Sequence, residues 1–176
     1  MTVYIHKVMP GETMRDYGSG LTDFVHCPSI VDQGPPQLDG FSIKEAEYIE
    51  GSEPFKRHKI IADRTATEGG VFLAAFVRRK PGLTMSEFTT YSLNVHAAMD
   101  AKMPGLGVYE QYHAIEEGAS FDCLSLFHFQ NMETLEAALG SDVVTAGTAD
   151  LINFIDPAAS LVLAAKRHNG PTVGTS

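Results

Sequence analysis

Four polar side chains in the second half of the chain have the chemistry needed for proton transfer: His96, Tyr109, Asp122 and His128. Histidine titrates near neutral pH, so its imidazole can give or take a proton under physiological conditions. A tyrosine hydroxyl or a carboxylate beside it can orient a substrate or share that proton. We therefore predict these four residues as catalytic candidates.

Each candidate also has a purely structural interpretation. His96 lies at the shoulder of the apolar face of a predicted helix, about 80° from Phe88, so it could point between helix and sheet toward a cavity. It could equally be a partly buried residue that donates to a backbone carbonyl. Asp122 and His128 share one strand face about 20 Å apart, so they cannot touch. Asp122 could be a water-exposed strand cap, and His128 a wall residue with a local hydrogen bond.

Four further residues are predicted to bind a substrate. Tyr109 and His113 share one face of a predicted strand, where polar groups in an apolar enclosure could orient a phenol or a carbonyl group. Ordinary amphipathic packing is the alternative explanation for the residues of this strand. It is also the alternative for Tyr91, which lies on the apolar face of the preceding helix. The predicted substrate-binding residues are Tyr91, His113, His26 and Phe76.

Composition and missing motifs exclude several classes of protein. The net charge is −9 and no basic run occurs, which argues against binding to nucleic acid or to an anionic membrane surface. No apolar stretch reaches the ~20 residues of a membrane helix, and the amino terminus does not resemble a signal peptide. The chain shows none of the spacings typical of metal, dinucleotide or P-loop sites. We therefore expect a cytoplasmic protein that works without a metal or other cofactor.

An internal repeat is visible in the sequence. Residues 9–17 and 80–88 share Pro-Gly-x-Thr-Met followed by one variable residue, an acid and an aromatic residue. His26 and His96 follow these two segments at similar distances, which suggests that they are equivalent. The alternative is chance similarity between two turns. The repeat predicts a partial βαββ unit over 1–66 that lacks a second helix and a fourth strand.

The second copy, residues 71–168, contains clearer signals of secondary structure. Thr84 and Glu87 form a capping box before a helix predicted over Met85–Lys102. The order of elements is β-α-β-β-α-β, and residues 169–176 are predicted to be a flexible tail. The other predicted elements are strands over 71–79, Val108–Ile115, Phe121–Phe129 and Ser160–Lys166, and helices that follow Asn131 and Ser141.

A sheet with helices on one face only leaves its other face uncovered. The strand Phe121–Phe129 is substantially apolar on both faces, so the uncovered face must pack on another layer. A second sheet would complete a closed barrel. It could come from another chain, from the first repeat, or from both. We expect a homodimer, with a small apolar or aromatic molecule in the barrel interior.

These features resemble the EthD family. The resemblance covers roughly 71–168, and faintly 2–64, and implies a ferredoxin-like fold that pairs into a dimeric α/β barrel. Two departures are Ala98, where the family often has proline, and the absence of a tryptophan near Tyr91. The segments that carry the resemblance are Lys80–Phe88, Tyr91, Val95-His96-Ala97, Phe121-Asp122 and Asn153–Pro157.

The resemblance implies cofactor-free decarboxylases, cyclases, dehydratases and oxygenases that act on phenolic or polyketide-like compounds. We therefore expect a lyase or cyclase that encloses a small aromatic or polyketide-like substrate and uses His, Tyr and Asp for acid–base chemistry. The alternatives are a cofactor-independent monooxygenase of the same barrel class and a barrel that binds a ligand without catalysis.

Overall fold

A computed structural model describes residues 1–10, 21–27, 32, 38–45, 48, 50–61 and 70–167. Most of the first Pro-Gly segment lies outside these residues, and so does the predicted flexible tail, 169–176. None of the helices among the described residues is long and apolar enough to cross a membrane.

The described residues of the first half form four strands. They are β1 (Thr2–Val8), β2 (Leu21–His26), β3 (Gly40–Glu45) and β4 (Glu53–Ile61). The prediction that this half lacks a fourth strand is therefore wrong. His26 ends strand β2, whereas His96 lies in a helix, so the two histidines are not structurally equivalent.

The second half follows the predicted β-α-β-β-α-β order closely. Strand β5 (Val71–Val77) leads to helix α1 (Met85–Tyr91), which continues through a π-helical segment, Ser92–His96, into α2 (Ala97–Asp100). The capping box of Thr84 and Glu87 is present. Asn131 and Ser141 cap the next two helices, as predicted. The remaining elements are β6 (Leu106–Ala114), β7 (Cys123–Phe129), α3 (Met132–Leu139), α4 (Asp142–Asp150) and β8 (Leu161–Arg167).

All eight strands form one closed antiparallel barrel in the order β1-β3-β2-β8-β5-β7-β6-β4. The two halves join at β2–β8, where His26 lies opposite Ala165, and at β4–β6, where Lys56 lies opposite His113. The predicted second sheet is thus the first half of the same chain. The uncovered face no longer requires a partner chain, and the homodimer stays a prediction.

The barrel interior is packed with aromatic side chains from both halves. Phe24 stacks on Phe41 at 4.6 Å and meets Phe72 edge-on at 5.0 Å. Phe76 contacts Phe41 at 5.2 Å and Phe121 at 5.0 Å. A cavity of about 80 Å³ lies at one end of the interior, beside Phe76 and Phe121. Phe76 is therefore a core residue, and binding of a ligand in the barrel interior stays a prediction.

Candidate active site

A larger cavity lies on the other face of the sheet, between β5, β7 and β8 and the helices. Its volume is about 360 Å³, within the range of small-molecule sites. Side chains alternate across a strand, so the odd-numbered residues of β5 and β7 face the cavity while their even-numbered neighbours fill the barrel. The strands contribute Leu73, Ala75, Val77, Cys123, Ser125, Phe127 and Val162, and the helical side contributes Phe88, Ser92, His96, Asp100, Gly147, Leu151 and Phe154 among others.

His96 lies at the wall of this cavity, in the position that the helical wheel predicts. It ends the π-helical segment, a distortion that is frequent at functional sites. Only 6% of the residue is exposed. Its Nδ1 lies 2.9 Å from Oδ2 of Asp150, and its Nε2 lies 3.1 Å from Oδ2 of Asp100. The ring is therefore held between two carboxylates.

The two carboxylates determine the charge of His96. Burial alone would lower its pKa, but the hydrogen bonds and negative charges of Asp100 and Asp150 outweigh burial and raise the pKa above 6.5. In the protonated state both ring N–H groups donate, one to each carboxylate. His96 is then an imidazolium with neither nitrogen free to receive a proton from a ligand.

Asp150 is itself held by three donors. The Tyr91 hydroxyl donates to Oδ1 at 2.7 Å, the Asn153 amide at 2.9 Å, and His96 binds Oδ2. Burial opposes ionisation of Asp150, but these three hydrogen bonds and the charge of His96 lower its pKa. Tyr91 therefore positions Asp150 and does not line the cavity.

Asp100 receives a second chain of hydrogen bonds from β6. The Tyr109 hydroxyl lies 3.4 Å from Oδ2 of Asp100, and the Gln111 amide donates to Tyr109 at 2.6 Å. His113 Nε2 lies 2.9 Å from Oε1 of Gln111, and Thr89 lies 3.2 Å from His113 Nδ1. These groups are buried or half-buried, and they connect three residues of one strand face to the carboxylate.

The hydrogen bonds from Thr89 to Asp100 all run in one direction. Because a carbonyl oxygen can only accept, His113 must carry its proton on Nε2 and accept from Thr89 at Nδ1. Burial and the nearby His58 lower the pKa of His113 to about 3, so it is neutral. Burial and the charge of Asp100 raise the pKa of Tyr109 well above its ordinary value, so its hydroxyl stays protonated. Every donor therefore points toward Asp100.

Two predicted catalytic residues lie away from this site. Asp122 is buried, accepts a hydrogen bond from the backbone N–H of Arg79 at 2.8 Å, and lies 3.6 Å from the Arg78 guanidinium. It fixes the chain after β5 and is not exposed to water. His128 points into the barrel, where its ring lies 4.9 Å from Phe72. Neither residue lines the cavity.

Two predicted substrate-binding residues are also elsewhere. His26 belongs to the first half, where its Nε2 lies 2.9 Å from Asp32. Phe76 packs in the barrel interior. Tyr91 and His113 do join the hydrogen-bond network behind the cavity wall. Cys123 lines the cavity, but burial raises the pKa of its thiol to about 12, so it is a neutral wall residue.

Sequence reasoning missed both carboxylates. Asp100 follows His96 by four residues on a helix, a spacing that places two side chains on one face and could have revealed the pair. Asp150 comes from a different helix and gave no local signal. Gly147 was also missed. A Cβ atom there would lie 3.1 Å from Oδ1 of Asp100, so the missing side chain leaves this oxygen room.

Solved structures of similar fold place the barrel among known proteins. A major regulator of staphylococcal pathogenesis is 10% identical and matches with a TM-score of 0.64 over 96% of this chain and 100% of that one. A "putative monooxygenase" from Lactobacillus acidophilus NCFM is 11% identical, with a TM-score of 0.54 over 94% and 92%. An EthD family protein from Bacillus halodurans C-125 is 20% identical, with a TM-score of 0.47 over 54% and 95%. No curated protein matches the chain.

The site itself falls within a recognised domain. The family model of the EthD domain matches residues 80–158, which contain His96, Asp100, Tyr109 and Asp150. The resemblance to the EthD family seen in the sequence is confirmed over these residues, which make up less than half of the chain.

Proposed function

We propose that the protein is an enzyme that binds a small aromatic or polyketide-like molecule in the cavity and performs acid–base chemistry on it with its own side chains. The observation that carries this proposal is a buried histidine held between two carboxylates at the wall of an otherwise largely apolar cavity. Such an arrangement costs stability unless the ionised groups are paired, and perturbed ionisable groups in a cavity are typical of active sites.

Asp100 is the group that can reach the ligand. Its Oδ2 is taken by His96 and Tyr109, whereas its Oδ1 faces the space left by Gly147. In a dehydration, Oδ1 would remove a proton from a carbon next to a carbonyl group. The C–H electrons would form the new double bond, and the C–O bond of a neighbouring hydroxyl would break. The same proton would return to that hydroxyl, which leaves as water.

His96 acts behind Asp100 in this scheme. Its positive charge balances the carboxylate, and its Nε2–H fixes which oxygen faces the cavity. Asp150 and Tyr91 hold the other side of the ring. Cyclisation by attack of an enolate on a carbonyl group would use the same first proton transfer, and decarboxylation belongs to the same proposed class of lyases.

Replacement of the two central residues tests the proposal. Asp100→Asn and His96→Gln should each lower kcat on a phenolic or polyketide-like substrate by about 100-fold or more, with ligand affinity changed only a few-fold. Asp142→Asn makes the same chemical change as Asp100→Asn at an exposed position of α4 and should leave kcat unchanged. Full activity in both site variants would overturn the proposal. Binding without turnover across such a substrate panel would identify a ligand-binding barrel instead.

A cofactor-independent monooxygenase is the second candidate function. It is supported by the shared fold with the Lactobacillus acidophilus protein, an 11% identical chain whose similarity extends to the fold alone. Removal of a phenol proton by Asp100 would give an electron-rich phenolate that can react with oxygen. An oxygen electrode separates the two functions, because a lyase or cyclase consumes no oxygen.

A further inference from the structure

The charges at the cavity wall restrict the charge that a bound ligand can carry. Among the described residues that line the cavity, the ionisable side chains of acids and bases are those of His96 and Asp100, together with the neutral thiol of Cys123. Asp150 lies directly behind His96. With His96 protonated, the two carboxylates leave one net negative charge beside the cavity.

No lysine or arginine among the described lining residues offsets this charge. Lys80 does not line the cavity, although its Nζ donates to the backbone carbonyl of the lining residue Ile152 at 3.0 Å. A ligand inside therefore meets a negative potential within mostly aliphatic and aromatic walls.

The strong hydrogen-bond donors of the site are already used. Both ring N–H groups of His96 bind carboxylates, and the Ser92 hydroxyl donates to Oε1 of Gln111 at 3.1 Å. Ser125 and Thr148 remain as neutral hydroxyls in the lining. The Oδ1 of Asp100, by contrast, is an acceptor that lies close to Gly147, and both residues line the cavity. The cavity thus offers a ligand a charged acceptor and no cationic donor.

We infer that the ligand is neutral and carries a hydroxyl or enol group that donates to Asp100, and that the site rejects carboxylate anions. This inference rests on the proposed function, because it concerns the same cavity. It favours dehydration or cyclisation of a neutral substrate among the proposed reactions and argues against decarboxylation of a free acid. A carboxylate about 6 Å from one net negative charge, at an effective dielectric constant of about 20, should bind about 100-fold more weakly than its neutral counterpart.

Three probes of similar size test the inference: 2-naphthol, 2-naphthoate and naphthalene. Their dissociation constants are measured by calorimetry at pH 7 for the wild-type protein, Asp100→Asn and the matched control Asp142→Asn. We expect the wild-type protein and the control to bind 2-naphthol at least tenfold more tightly than 2-naphthoate. Both should also bind 2-naphthol more tightly than naphthalene, because naphthalene has no hydrogen-bond donor. Asp100→Asn should reduce the discrimination against 2-naphthoate at least several-fold.

Several results would overturn the inference. They are equal or tighter binding of 2-naphthoate by the wild-type protein, an unchanged preference in Asp100→Asn, and tighter binding of a naphthylmethylammonium ion than of 2-naphthol. If Asp100→Asn does not fold, the relative affinities of the three probes for the wild-type protein still test whether the site prefers a neutral donor over a carboxylate. Preference for 2-naphthol without any turnover would refute the proposed enzymatic function but not the inference of a neutral ligand. Turnover of a free carboxylic acid would refute the inference of a neutral ligand but not the enzymatic function.

Discussion

Replacing Asp150 with asparagine should lower the pKa of His96 and destabilise the fold in a pH-dependent way. The two side chains are 12% and 8% exposed, so water screens their 2.9 Å hydrogen bond little. Hydrogen bonds to charged groups contribute about 1.5–3 kcal/mol. Asparagine keeps one acceptor oxygen but removes the charge, and that oxygen cannot serve both His96 and Tyr91. We expect the free energy of unfolding to fall by about 1–3 kcal/mol near pH 6.

The pH dependence follows from the directions of the two pKa shifts. The pKa of His96 is raised in the folded state, so its contribution is fully present below its ordinary value of 6.5 and is lost as pH rises through the folded value. The pKa of Asp150 is lowered, so its contribution is present above its ordinary value of 3.8 and is lost as pH falls through the folded value. The variant should therefore differ most from wild type between these two ordinary values, and the difference should shrink toward alkaline pH.

Two measurements check this expectation. Urea denaturation at several pH values gives the difference in unfolding free energy. An NMR titration follows the imidazole protons of the seven histidines, with His96 assigned from the spectrum of His96→Gln. Tyr91→Phe is the control, because it removes a donor to Asp150 without changing charge, and its effect should vary less with pH. An unchanged or higher pKa of His96 in Asp150→Asn, or a destabilisation that is equal at all pH values, would refute the electrostatic reasoning.

Three further expectations concern the core, the cavity and the network behind it. Phe76→Ala should lower the unfolding free energy by about 3–5 kcal/mol in urea denaturation, because Phe76 fills the barrel interior, while 2-naphthol affinity stays within a few-fold. Gly147→Val should weaken 2-naphthol binding tenfold or more by calorimetry, because the new side chain fills the space beside Asp100; equal affinity would show that the ligand lies elsewhere. Gln111→Leu should cost about 1–3 kcal/mol of stability in urea, because it removes the acceptor of the His113 Nε2–H and the donor to the Tyr109 hydroxyl, and a neutral effect would mean that the chain of hydrogen bonds contributes little.

Most elements of the second half could be predicted because their signals are local. The capping box of Thr84 and Glu87 and the caps Asn131 and Ser141 mark helix starts within a few residues of sequence. The apolar character of both faces of β7 indicated that two layers cover the sheet. Local signals of this kind do not depend on how the chain folds back on itself.

The position of the candidate site could not be predicted in the same way. Every residue of β7 is buried, so alternation alone does not distinguish the barrel side from the helix side. His128 and Phe76 were predicted as site residues because the ligand was expected in the barrel, and both do face the barrel, whereas the cavity beside His96 lies on the other face of the sheet. The partner Asp150 lies 54 residues from His96 and is brought to it only when α4 packs over α2. Tertiary packing, which a single sequence does not display, decided both outcomes.

The two halves of the barrel have the same spatial order of strands but contribute differently to the described cavity. The first half follows β4-β1-β3-β2 and the second follows β8-β5-β7-β6, which supports the predicted duplication. All helices among the described residues belong to the second half, so the described cavity forms there alone. The first half supplies inward apolar residues such as Val3 and Ile5, and no described residue of it lines the cavity. Because this partner sheet is tethered to the second half, the barrel closes without a second chain.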